Sequence, residues 1–152
     1  MRSSERSRAT GVVEPRLDVE RRIAASPDEV FAYLTDPEKY SRWMGQRAEL
    51  DPRPGGLYRV RVGPDAVAVG EYLEVEPPSR VVFTWGWEGS GAVPPGSTTV
   101  EITLSEDGDG TLLHLRHTGL PSDADAELHR EGWEIYTARL AAAVPRAAAA
   151  GT

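Results

Sequence analysis

Between Arg16 and Thr118 apolar and polar residues alternate in short runs, and beyond Ser122 the apolar step lengthens to three and four. Alternation puts every second side chain on one face of a strand, whereas the longer step lines one face of a helix. The spacing predicts seven strands, at Arg16–Ala24, Gln46–Asp51, Leu57–Val62, Ala66–Val75, Arg80–Trp87, Thr98–Ser105 and Thr111–Thr118. Turn-forming residues separate the later ones, among them Pro54-Gly55-Gly56, Gly63-Pro64-Asp65, Pro77-Pro78 and Asp107-Gly108-Asp109-Gly110. Links this short imply antiparallel pairing.

Two short helices are expected after the first strand. Ser26-Pro27-Asp28-Glu29 and Asp36-Pro37-Glu38-Lys39 each place a capping side chain before a proline at the first helical position. The last element is a long helix over Ser122–Val144, opened by Ser122 with Asp125 three residues on and stopped by Pro145. Its apolar stripe is Gly132, Trp133, Tyr136, Leu140, Ala143 and Val144. At about 1.5 Å per residue it forms a rod of roughly 35 Å. Strands with one apolar face and a helix with one apolar stripe bury both by packing the sheet around the helix. The expected fold is therefore α+β: a seven-stranded curved antiparallel sheet wrapped around the C-terminal helix. An apolar cleft between them is mouthed by the early helices and the Gly/Pro-rich loop Glu88–Ser97.

Totals narrow the function classes. A chain of 152 residues suits one domain, expected over 16–145, with a disordered lead-in at 1–15 and a flexible tail at 146–152. The net charge of -7 argues against a nucleic-acid binder, which needs a basic footprint. No eighteen-residue apolar run is present, so no membrane span is expected, and the N-terminus lacks the apolar stretch of a secretory signal. Cysteine is absent, which removes disulfides and thiolate chemistry and fits a cytoplasmic location.

Candidate chemistry gathers on the inner face. His117, on the inward face of the last strand, reads either as an acid–base group or as a core histidine satisfied by a carbonyl or a tyrosine. His129 lies on the helix, where it can approach His117, while His114 alternates outward. Two histidines without a third ligand make a poor metal site, so neither metal nor cofactor is expected. The fifth strand places Val81, Phe83, Trp85 and Trp87 on one face. With Ile102, Leu115, Trp133 and Tyr136 these aromatics either line a ligand cavity or pack the core. Trp43 and Tyr58 carry the same two readings. Glu71 interrupts the apolar set Val67, Val69, Leu73 and Val75, as an inward carboxylate facing a ligand or Arg59 or Arg61, or as a solvated edge residue. Gly132 reads as a point where a strand approaches the helix, in preference to a ligand contact.

Several stretches resemble the family named after the activator of heat-shock-protein ATPase, in its short bacterial form, within the START-like helix-grip superfamily. They are Ala25–Phe31, Arg42-Trp43-Met44-Gly45, Arg53–Tyr58, Gly70–Pro78, Phe83-Thr84-Trp85, Gly110–His117, and His129 with Gly132-Trp133. Trp43-Met44 stands where family members often carry two aromatics. The resemblance implies the same helix-grip fold and a domain that binds a small apolar or aromatic molecule, as monomer or homodimer. It implies no shared catalytic motif. Two alternatives stand beside this reading: a co-chaperone-like module acting on a heat-shock ATPase, and a cyclase- or dehydratase-type enzyme using His117.

Overall fold

A computed structural model describes residues 15–146; the expected lead-in and tail fall almost wholly outside that range. The elements are β1 (Arg16–Ile23), α1 (Pro27–Thr35), α2 (Pro37–Tyr40), β2 (Arg47–Leu50), β3 (Leu57–Gly63), β4 (Ala66–Glu76), β5 (Arg80–Trp85), β6 (Thr98–Asp107), β7 (Gly110–Thr118) and α3 (Asp123–Ala143). The seven strands form one open antiparallel sheet in the order β1-β7-β6-β5-β4-β3-β2. This is the helix-grip arrangement that the pattern of the chain implies.

Alternation fixes the inner face. One row runs Val19–Leu115–Ile102–Val81 and the next Leu17–His117–Val100–Phe83–Tyr72, all buried. The outer face carries ion pairs instead, with Asp18 between Arg16 and Arg116, and Arg80 between Glu74 and Glu101. Each pair of this exposed kind contributes little to stability.

β4 departs from its expected face. Ala68 and Tyr72 are fully buried, whereas Leu73 is exposed and Val69 and Val75 are half-buried. A register irregularity between Tyr72 and Glu74 breaks strict alternation along the strand, which is why the valine pattern misleads. β5 also ends two residues early, at Trp85. A Cβ at Gly86 would lie 1.8 Å from the carbonyl oxygen of Pro94, so the loop that follows can close on the sheet only over a glycine. The chain stays beside β4 past this point: the Gly86 carbonyl accepts from the Val69 amide, Trp87 bridges Ala68, and the Glu88 amide donates to the carbonyl of Val67.

The helix starts follow their caps. Ser26 Oγ accepts from the Glu29 amide, and Asp36 accepts from the amides of Glu38 and Lys39. On α3, Ser122 Oγ accepts from the Asp125 amide at 3.1 Å and donates to its carboxylate at 2.9 Å. The carboxylate therefore meets the capping hydroxyl, a variant of the expected box. The buried stripe of α3 is Ala126, Trp133, Thr137, Leu140 and the capping Val144. Arg21, on the apolar face of β1, reaches this helix: it donates to the carbonyl of Glu134 at 2.9 Å, to its carboxylate at 3.1 Å and to Thr137 Oγ1 at 3.3 Å. A misplaced-looking charge thus ties sheet to helix.

Candidate functional site

Three elements enclose a cavity of about 180 Å³ beside the N-terminal half of α3. The helix contributes Leu128, His129, Gly132, Trp133 and Tyr136. The end of β5 and the residues after it contribute Trp85 and Trp87, and Met44, just past α2, closes the remaining side. Leu128 is 65% exposed, so the cavity opens to solvent at that residue.

The wall is built from packed rings. Trp85 sits 5.0 Å from Trp133 and 5.1 Å from Trp87 between ring centroids, and Trp87 lies 6.0 Å from His129. Two indole–imidazole hydrogen bonds lock these rings. Trp133 Nε1 donates to His117 Nδ1 at 3.1 Å, and Trp87 Nε1 donates to His129 Nε2 at 3.0 Å. An indole N–H only donates, so each accepting imidazole nitrogen is unprotonated. The proton of His117 therefore lies on Nε2, facing Thr98 Oγ1 at 2.8 Å, and the threonine donates onward to the carbonyl of Trp85 at 2.7 Å. His129 holds the opposite tautomer, with Nδ1–H donating to the carbonyl of Asp125 at 2.8 Å. Burial, reinforced by the His129 ring 5.2 Å away, pulls the pKa of His117 down to about 3.

Behind Met44 lies a second aromatic group. Tyr58 donates to the hydroxyl of Tyr40, which donates to Met44 Sδ at 3.6 Å. Burial raises the pKa of all three tyrosines, Tyr40, Tyr58 and Tyr72, so they stay neutral. Trp43 points into α1, its Nε1 donating to the carbonyl of Tyr33 at 2.9 Å, and this fastens the turn that presents Met44.

The residues singled out from the sequence divide accordingly. Trp85, His129, Trp133 and Tyr136 reach the cavity wall. Trp43, Tyr58, Phe83, Ile102, Leu115 and His117 are buried in the core behind it. Glu71 is exposed and opposite Leu57, its amide bonded to Thr84 Oγ1; Arg59 pairs with Glu49 and Glu88 instead, and Arg61 bonds the carbonyl of Pro64. His114 meets Asp18 on the outer face. Gly132 is not a close-approach point, since a Cβ there would meet nothing within 4 Å. Met44 and Leu128 were not legible as wall residues. Met44 follows a non-helical turn, and Leu128 falls outside the stripe that packs on the sheet. Among the described residues no group of three potential ligands could hold a metal, and no helix is long and apolar enough to cross a membrane.

With this geometry in place, comparison with known proteins identifies relatives. The family of Activator of Hsp90 ATPase homolog 1-like proteins matches residues 24–145. A solution structure of an AHSA1-like protein from Rhizobium etli is 48% identical, with a TM-score of 0.66 over 89% of this chain and 86% of that one. CalU16 from Micromonospora echinospora is 33% identical, with a TM-score of 0.69 over 85% of this chain and 75% of that one. Protein MLL2253 from Mesorhizobium loti, 23% identical with a TM-score of 0.78 over 88% of this chain and 99% of that one, shares the fold. No curated protein matches.

Proposed function

The chain belongs to the Activator of Hsp90 ATPase homolog 1-like family, and from that premise we propose that it is a receptor for a small, mainly apolar molecule, without chemistry of its own. The observation that carries this is the 180 Å³ cavity walled by Trp85, Trp87 and Trp133 where the sheet meets α3. Concave apolar sites between packed layers are where small ligands are usually held. The domain spans 16–145 and works in the cytoplasm in this reading. Native mass spectrometry of the protein purified from its own host tests it: a co-purifying small molecule, lost on mild denaturation, is the expected result. Absence of any retained or added apolar ligand removes the proposal.

A co-chaperone-like role keeps one observation in its favour. Leu128, at the cavity mouth, and Ile135, seven residues on, are 65% and 54% exposed and leave two large apolar side chains on one side of α3 open to solvent. Calorimetry against a purified heat-shock ATPase, with Leu128→Glu/Ile135→Glu as control, decides that reading. Nothing at His117 supports the enzyme alternative, because its ring is 0% exposed and both nitrogens are already engaged.

A further inference from the structure

Gly132 sits inside a helix, where glycine is a poor choice because it leaves the backbone freest when unfolded. Usually a close neighbour explains such a glycine. Here a Cβ would meet nothing within 4 Å, its φ is not in the left-handed region, and the residue borders the cavity. What the missing side chain provides is open space in front of Trp133 and Tyr136.

The wall around that space carries no charged side chain: no Asp, Glu, Lys or Arg lines it. The Trp87 and Trp133 indoles both donate to histidines, and His129 has one nitrogen accepting and the other donating. Trp85 Nε1, which has no hydrogen-bond partner, is itself buried. An anion entering such a site would exchange its hydration for ring faces, whose negative quadrupole repels it, a change that strongly disfavours it. The volume also sets a limit, since an apolar cavity of about 150 Å³ takes benzene, and this one is about 180 Å³.

Resting on the receptor reading above, we infer that the site admits a single uncharged ring and disfavours an anionic one of the same size, with Gly132 setting the size limit. Any larger remainder of the ligand leaves past Leu128 into solvent.

The test titrates toluene and benzoate into the full chain at neutral pH, following the indole N–H signals of Trp87 and Trp133 by NMR. Toluene is expected to shift both signals, with benzoate weaker by at least about tenfold. Gly132→Leu, which fills the space, should weaken toluene at least about tenfold. Gly132→Ala should weaken it less and serves if the leucine variant does not fold. Benzoate binding within about threefold of toluene, or toluene binding unchanged in both variants, overturns the inference while leaving a receptor. If no probe binds, and no other neutral ring does, the receptor reading falls with it.

Discussion

Trp133 Nε1 donates to His117 Nδ1 at 3.1 Å, inside a core where the histidine has no exposed surface. The bond assigns His117 a fixed job: its Nδ1 accepts from the helix and its Nε2–H donates to Thr98 Oγ1 on the sheet. This is a structural histidine, and its chemistry shows in stability.

Folded His117 titrates near pH 3, whereas an unfolded histidine titrates near 6.5. Between those values the unfolded chain binds a proton that the folded chain does not. Stability therefore rises with pH across this window and falls as pH drops from about 6.5 toward 3, by about 1.4 kcal/mol per unit from this residue. His117→Gln, which keeps one acceptor and one donor, should flatten that part of the profile. Urea unfolding of both proteins at several pH values gives the difference in slope; equal slopes refute the assignment.

Gly132→Ala should stabilise the ligand-free protein by up to about 1 kcal/mol, because alanine favours the helix and its methyl has room. In a domain of this size that corresponds to roughly 2–4 °C in melting temperature. A lowered melting temperature would show that the space beside α3 is not free.

The tyrosines behind Met44 offer a paired comparison. Tyr58→Phe removes the donor to Tyr40 and should cost about 1 kcal/mol. Tyr72→Phe removes a buried hydroxyl that has no partner among the described residues, and should be neutral or slightly stabilising. Denaturant midpoints read both, and the reverse order would contradict the hydrogen-bond pattern.

Arg21→Ala deletes three hydrogen bonds from β1 to α3 and should cost about 1–2 kcal/mol. Amide exchange should speed up most around Glu134 to Leu140. A uniform change along the whole helix would mean that the arginine does not act locally.

How much of this the chain announces depends on the kind of signal. Capping serines, proline starts and clean alternation are local, so the seven strands and three helices emerge nearly to the residue, and so does the helix-grip packing of their apolar faces. The cavity is harder to foresee. Inward-facing aromatics such as Phe83, Tyr58 and Trp43 look alike in a pattern, yet they fill the core, while Trp85 and Trp87 reach the wall. The side of Gly132 that is left open is decided by what fails to pack there, and no periodicity encodes that. The valines of β4 misled for a related reason, a register irregularity that resets which face a residue takes, while Glu71 takes the solvated of its two readings.

The Arg21 tie has a mechanical sequel. It grips α3 beyond its midpoint, where Thr137, Leu140 and Val144 are also buried, whereas the first turns lean on Ala126 and the Trp87–His129 bond. The helix is thus a cantilever, clamped at its far end and lightly propped near the opening. A small swing of the propped end would widen the entrance without disturbing the clamped end or the sheet beneath it.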